Sequence, residues 1–371
     1  MTVAIVPIRP GGRELERFIA FPYSLHRRDP MWVPTLRMDV RKILSPQKNP
    51  FFEHGAAQYF LAQRDGKVVG RIAAIRNDLH NQTYHDRVGF YGFFESVDDQ
   101  AVANALFDAA GQWLRSEKLD TMRGPMNPSI NDECGLLIDG FDTPPVILMT
   151  HNPRYYVALH DRYGFVKAKD MYAFAGGGDV PPDRFARAKE MIGKRYGLTL
   201  RTLDMKRFRD EVALVKQLFN EGWEQNWGYV PMTEAELDYL AESLKPVIIP
   251  ELIIFASIKG KIVGFVAAIP DLNVALKHNP SGRLFPGILK VLWHARHVHR
   301  ARIPLLGTLP QYRGKGIDAV LYYQVWSNAL RRGINWGEGG WILEDNHAMV
   351  NGLTALGFHI YKTYRIYDKS L

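Results

Sequence analysis

The chain has 371 residues, 47 of them Lys or Arg and 39 Asp or Glu, for a formal net charge of +8. Hydrophobic residues make up 46% and aromatics 12%, which excludes a mostly disordered chain, and the length suits about two domains. The one cysteine, Cys134, excludes an internal disulfide framework and a Cys-based zinc site, and it suits a reducing cytoplasm. No run free of Asp, Glu, Lys and Arg reaches the ~20 apolar residues of a bilayer span, and the start of the chain lacks the basic and apolar regions of a signal peptide. The expected protein is therefore cytoplasmic.

Apolar spacing predicts a helix over 13–26. A hairpin follows, with strands over 59–62 and 68–75 around Asp65-Gly66. A strand over 88–94 and a helix over 99–116 come next. The second half repeats this order: a helix over 205–223, a hairpin of 252–257 and 262–269 around Lys259-Gly260, a strand over 304–309 and a helix over 318–331. A strand over 341–343, a short helix opening near Asn346 and a strand over 361–367 complete it.

The two halves also share residues. Gly66-Lys-Val-Val-Gly70 with Ala73-Ala74-Ile75 recurs as Gly260-Lys-Ile-Val-Gly264 with Ala267-Ala268-Ile269, at an offset of 194. Asp29-Pro-Met-Trp-Val-Pro34 recurs as Asn226-Trp-Gly-Tyr-Val-Pro231, and Tyr163-Gly164-Phe165 as Leu356-Gly357-Phe358. Three stretches in one order at nearly one offset indicate a duplicated unit. The Gly/Pro cluster at 176–182 marks the seam, giving domains 1–178 and 179–371. The expected fold class is mixed α/β, with a central mixed sheet flanked by helices in each domain.

The stretch Gln311-Tyr-Arg313-Gly314-Lys315-Gly316-Ile317 follows an apolar strand and opens a helix. Two glycines let the backbone approach an anion closely, and first-turn N–H groups lack intrahelical partners. That combination seats a pyrophosphate, with Arg313 and Lys315 adding charge. A Gly-rich surface turn would read the same on glycine spacing alone. Neither a P-loop nor a dinucleotide fingerprint is present.

Gln311-x-x-Gly314-x-Gly316, in this order of strand, loop and helix, resembles the coenzyme A loop of the GNAT acyltransferases. The resemblance implies tandem GNAT-like domains, with CoA contacted by Thr308, Leu309, Gln311, Arg313, Gly314, Lys315, Gly316 and Ile317. It also implies that Asn346 reaches the pantetheine amides, and that a backbone N–H near 308–309 stabilises the thioester oxyanion. The first half lacks the loop: Glu95-Ser-Val-Asp98-Asp99 offers carboxylates where phosphates would lie, so no CoA is expected there. Many GNAT enzymes carry a Tyr at the place of Leu353. The thiolate proton must then come from Tyr361, Tyr364 or water. Glu344 is the first candidate base for the amine, with Asp345, Glu338 and His347 behind it.

Two stretches bear on the acceptor. Trp223, Asn226, Trp227 and Tyr229 would wall its cleft, or form an ordinary aromatic core corner. Residues 272–317 hold no Asp or Glu but eight Lys/Arg and four His, and they extend the second half. Apolar residues recur at helical spacing there, so 284–302 suits a membrane surface or lipidic substrate, or a cationic rim for CoA phosphates. The His cluster lacks the acids or cysteines of a metal site, and no metal is expected.

The whole chain is similar to the bacterial ceramide synthase-like (YghO-like) family. The residues that carry the likeness are Phe21-Pro22, Asp29-Pro-x-Trp32-Val-Pro34, Asn49-Pro-Phe-Phe52-Glu-His54, Gly89-Phe-x-Gly92-Phe-Phe-Glu95, Asn152-Pro-x-Tyr155-Tyr156 and Trp341-Ile-Leu-Glu344-Asp-Asn346. The family resemblance implies transfer of a long acyl chain from acyl-CoA to the amine of a sphingoid base. The expected partners are acyl-CoA and a lipidic amine, with no nucleic acid, and the segment 284–302 adds an expected peripheral contact with the inner membrane. Competing readings are a non-catalytic acyl-CoA or lipid sensor, a GNAT acetyltransferase for another small amine, and an aminoacyl-tRNA-dependent ligase. The intact CoA loop argues against the last.

Overall fold

A computed structural model describes residues 2–181 and 183–371; Pro182, the end of the expected seam, lies outside them. In chain order the elements begin with β1 (Ala4–Ile8), α1 (Arg13–Leu25), α2 (Arg37–Ile43), β2 (Gly55–Arg64), β3 (Lys67–Asn77) and α3 (Asp78–Tyr84). They continue with β4 (Val88–Ser96), α4 (Gln100–Ser116), β5 (Thr121–Gly124), β6 (Met126–Asn127), β7 (Glu133–Cys134), β8 (Leu136–Asp139), α5 (Tyr155–Tyr163) and β9 (Val166–Gly177). The later part holds α6 (Asp183–Tyr196), β10 (Leu198–Thr202), α7 (Phe208–Trp223), α8 (Glu234–Leu244), β11 (Ile253–Ile258), β12 (Lys261–Pro270), α9 (Asn273–Leu276) and α10 (Gly287–Ala295). It closes with β13 (Arg300–Thr308), α11 (Ile317–Arg331), β14 (Trp336–Leu343), α12 (His347–Ala355) and β15 (His359–Ser370).

The chain divides into two compact units. The first runs to Met171 and takes in Asn273–Arg296 and Lys362–Leu371; the second holds Tyr172–Leu272 and His297–Tyr361. The seam expected at residue 178 thus lies a little past the change of unit. Of the segment 272–317 expected to extend the second half, residues 273–296 belong to the first unit. Asn273 Nδ2 donates to the Pro145 carbonyl at 3.0 Å. Arg37 donates through Nε to Ser281 O at 2.9 Å and through its backbone N–H to Gly282 O at 2.8 Å. These long-range bonds leave no local sequence signal.

In the first unit, β1 to β4 form an antiparallel run, and β4 then pairs parallel with β5 over Val88–Phe90. Asp65-Gly66 turns the β2–β3 hairpin, with Gly66 at φ 74°, where a side chain would be strained. Alternate apolar residues of β2 and β3 face α4, and Phe60, Ile72, Tyr91, Leu106 and Phe107 share one buried core. The end of β15 completes this unit's sheet, with Tyr367 opposite Gly124.

The second unit repeats the logic. β10, β11, β12 and β13 are antiparallel neighbours, and β13 then pairs parallel with β14 over Arg300–Ile303. Here α11 packs on Leu252, Ile254, Val266 and Ala268 through Ile317, Leu321 and Val325. The duplicated strand order predicted from sequence is present, and the fold is the expected mixed α/β.

One buried group sets an acid limit. His160 donates from Nδ1 to the Tyr156 carbonyl at 2.6 Å and is ringed by Tyr91, Phe94, Phe107, Phe165 and Tyr367. Burial drives its pKa down to about 4 from 6.5, with the Tyr156 bond opposing. The unfolded chain therefore takes up this proton first as pH falls through 6.5, and stability is lost from there down to about pH 4. Between pH 7 and pH 5 the loss from this residue is about 2 kcal/mol. Urea melts at both pH values should show a smaller loss in His160→Phe than in the wild type.

Candidate active site

The central feature is the end of β13 and the loop after it. Residues of β13 pair with β12 through a bulge between the Ala267–Leu305 and Ile269–Arg302 pairs. The parallel pairing with β14 ends at Ile303 opposite Gly339. Pro304, next in line, has no N–H to give to the ladder. Leu305–Thr308 therefore runs on beside β12 while β14 is no longer bonded to it.

The Leu309 N–H donates to the Val263 carbonyl at 2.9 Å. It is thus committed, which removes it from the expected oxyanion role. Thr308 sits opposite Gly264, and antiparallel alternation then turns the Thr308 N–H away from β12. A single 3-10 turn, Pro310–Tyr312, leads into Gly314 and Gly316 at φ 74° and 75°. A Cβ on Gly316 would also stand 2.8 Å from Ile192 Cδ1. Gly316 is the N-cap residue of α11, and no side chain caps that helix.

The charged residues of the loop are placed unequally. Arg313 Nη2 donates to the Gly222 carbonyl at 2.6 Å, so its guanidinium ties the loop to the end of α7. Lys315 Nζ lies 4.7 Å from the centre of the Tyr312 ring, and Gln311 is exposed.

The same position of the first unit is closed. There Asp99 caps α4, accepting from the N–H groups of Ala101 at 2.9 Å and Val102 at 3.4 Å. Beyond the parallel pairing of β4, Phe93 donates its N–H to Asn127 Oδ1 at 2.6 Å. A Cβ on Gly92 would stand 1.8 Å from the Met126 carbonyl oxygen. Glu95 is turned inward onto His26 and Tyr156 rather than toward the helix. A carboxylate thus already occupies the N-terminus of this helix.

On β14 and α12, Asn346 Oδ1 accepts from the Met349 N–H at 3.2 Å, the expected cap. Glu344 is half-buried in the turn before it, while Asp345 and His347 are exposed. Leu353 is fully buried with Phe174, Tyr322, Leu356 and Phe358, so the place of the usual Tyr is core. The two candidate tyrosines separate. Tyr364 lies buried in the first unit, opposite Leu137. Tyr361 donates its hydroxyl to Glu338, which is fully buried and pairs with Arg302 Nε at 3.4 Å. Arg302 also donates to the Gly340 carbonyl at 3.0 Å and lies over the Trp341 ring. Residues 302 and 338 are register partners, so only the parallel pairing reveals the cluster.

The residues expected to wall the acceptor gather at and just after the end of α7. Trp223 stacks on Phe219 at 5.1 Å and lies over Gly307, where a Cβ would stand 2.5 Å from the indole. Tyr229 donates to Asn220 Oδ1 at 2.9 Å, and the Asn226 N–H donates to the Trp223 carbonyl at 2.8 Å. Trp227 is half-buried. The aromatic corner therefore adjoins both β13 and, through Gly222, the loop.

No protein-family model matches the chain. The chain is 40% identical over 379 aligned residues to the bacterial ceramide synthase of Caulobacter vibrioides (strain NA1000 / CB15N), covering 100% of this chain and 98% of that one. It is 36% identical over 365 residues to protein YghO of Escherichia coli (strain K12), covering 96% and 93%. The chain belongs to the bacterial ceramide synthase-like family. Its fold matches a tandem GNAT protein from the clavulanic acid biosynthesis pathway, with a TM-score of 0.58 at 12% identity over 100% and 98% of the two chains. A GCN5-related N-acetyltransferase from Sphaerobacter thermophilus gives a TM-score of 0.53 at 14% identity over 99% and 95%. This ceramide synthase-like chain is an acyltransferase with the tandem GNAT fold.

Its basic insertion carries an unusual surface. Leu284, Phe285, Leu289, Leu292 and Trp293 are all exposed, Phe285 at 73%. Val291 packs inward from the same helix, α10. Among the described residues, no helix is long and apolar enough to cross a membrane. No group of three or more metal-ligating side chains is found among them either.

Proposed function

We propose that this acyltransferase moves a long acyl chain from acyl-CoA to the amine of a sphingoid base. The observation that carries the CoA assignment is the uncapped N-terminus of α11 behind two glycines of positive φ. The N–H groups around Gly314, Lys315, Gly316 and Ile317 would hold the pyrophosphate, with Gln311 and Lys315 beside it. Arg313 would shape the loop through Gly222 and give the phosphates only its residual field. The amine attacks the thioester carbon, an amide C–N bond forms, the C–S bond breaks and the thiolate leaves. The Thr308 N–H is the oxyanion donor in this reading, because that of Leu309 is bonded to Val263.

Glu344 would take one proton from the ammonium before attack; Tyr361, held by Glu338, would give its proton to the leaving thiolate and be replenished by the second proton that the nitrogen loses as the intermediate collapses. Tyr364, buried in the first unit, is left a packing role. Asn346 would hold α12 in place and face pantetheine. Trp223, Trp227 and Tyr229 would wall the acceptor, with Asn226 fixing their turn. The name of the Caulobacter relative supports a sphingoid acceptor.

The purified protein with palmitoyl-CoA should release CoA only when sphinganine or 3-ketosphinganine is added, and mass spectrometry should find the N-acyl product. Gly314→Val should weaken CoA binding at least about tenfold by calorimetry, since a β-branched residue is strained at φ 74°. Its melting temperature should fall by only about a few degrees, because the strain is confined to this loop and nothing lies within 4 Å of the new Cβ. CoA binding without amine-dependent release would select the sensor reading.

In the same reading the protein sits in the cytoplasm and touches the inner membrane through 284–302. The exposed apolar face of α10, in a segment without acidic residues, supports this. The double substitution Leu289→Ser with Trp293→Ser should lower binding to vesicles containing anionic lipid about tenfold or more, measured by co-sedimentation. Equal binding would count against the contact.

A further inference from the structure

Three sequence motifs that the acyl-transfer chemistry leaves unused meet inside the first unit. They are Asp29-Pro-x-Trp32, the Glu95 that ends its Gly/Phe-rich strand, and Asn152-Pro-x-Tyr155-Tyr156. Glu95, on β4, accepts from the Tyr156 hydroxyl at 2.7 Å, bonds His26 Nε2 at 2.7 Å and pairs with Arg71 at 3.6 Å. Burial alone would raise the Glu95 pKa, but His26, Arg71 and Tyr156 hold it below the usual carboxylate range. The Trp32 ring lies 5.4 Å from that of His26.

Beside this network stands a second pair. Asp29 Oδ2 bonds His151 Nε2 at 2.8 Å, and the His151 side chain is only 5% exposed. With Nε2–H donating to the carboxylate, Nδ1 carries the lone pair. That atom is buried and has no hydrogen-bond partner among the described residues. A buried acceptor without a donor is costly, and here it calls for a ligand N–H or O–H. Arg71 Nε, a buried donor in the adjoining network, likewise has no partner among the described residues. The open acceptor suits an ammonium N–H, and the open donor suits a hydroxyl oxygen.

We infer that the first unit holds a second binding site for the amino-alcohol head of a long-chain base, in which His151 Nδ1 accepts a hydrogen bond from the ammonium. The ammonium keeps its proton, and Asp29, bonded to Nε2–H, fixes the tautomer that leaves the Nδ1 lone pair open to it. Burial keeps His151 below the ordinary histidine range, so it is neutral at pH 7, while Asp29 pulls the other way. The other charged groups that bear on it are His26 from the end of α1 and Lys362 from β15. Beyond His26 lie Glu95, Arg71 and Tyr156.

The inference rests on the acyl-transfer reading for the choice of amine, so its test reads binding without turnover. Sphinganine in detergent micelles is titrated into the full chain and followed by calorimetry. The wild type should bind, and His151→Gln should bind at least about tenfold more weakly with CoA affinity unchanged. Wild-type affinity should fall as pH drops through the His151 pKa. Asp29→Asn removes the influence that raises that pKa, so its acid limb should move to lower pH. Failure of the wild type to bind, equal affinity in His151→Gln, or an unmoved limb in Asp29→Asn would each overturn the site. If His151→Gln loses CoA binding as well, the Asp29→Asn limb decides. A protein that binds sphinganine through His151 but never acylates it would defeat the acyl-transfer reading and leave this site standing.

Discussion

The first turn of α11 presents backbone N–H groups that no side chain caps, at the positive end of a fifteen-residue helix. Such groups are normally satisfied by Ser, Thr, Asp or Asn, and the first unit follows that rule with Asp99 on α4. The second unit replaces the capping residue with Gly316 at φ 75° and leaves the donors for an anion. On the proposed reading, this one exchange, a carboxylate cap in one repeat and a bare glycine in the other, decides which repeat can seat CoA. The surrounding features of the second unit serve that seat. Gly314 keeps the approach open, Ile192 fills the space where a Gly316 side chain would go, and Arg313 anchors the loop to α7.

The strand before the loop supplies a second feature, a polar backbone edge that runs on past the end of the β13–β14 ladder. The bulge in β13 and the missing N–H of Pro304 coincide with the end of the β13–β14 ladder. In the first unit the corresponding pairing also ends early, after Phe90, but Met126 and Asn127 close in against Gly92 and Phe93. The duplicated units thus share the divergence of two parallel strands and differ in what occupies it. The second unit puts Trp223 over Gly307 next to it and sets the buried Arg302–Glu338–Tyr361 cluster at its base.

Features written in short stretches of chain were legible in the sequence. The hairpins around Asp65-Gly66 and Lys259-Gly260, the loop at 311–317 and the Asn346 cap depend on local backbone rules, and each lies where the residues indicated. Long-range pairings were hidden. Glu338 looked like a lesser carboxylate until the β13–β14 register set it against Arg302. The segment Asn273–Arg296 belongs to the first unit because of bonds to Arg37 and Pro145, partners far away in sequence. Arg313 read as a phosphate ligand because the carbonyl of Gly222 that accepts from it carries no side-chain signature. The motifs around Asp29, Glu95 and Tyr156 were visible as a family likeness, but their convergence on His26 and His151 was not.

The most direct test of the account asks where CoA lands. Hydrogen–deuterium exchange with and without CoA reports on the very N–H groups at issue. The account predicts slowed exchange confined to the stretch from Thr308 through the first turn of α11, with no change at the Asp99-capped start of α4. Protection at α4, or none at 308–320, would contradict it.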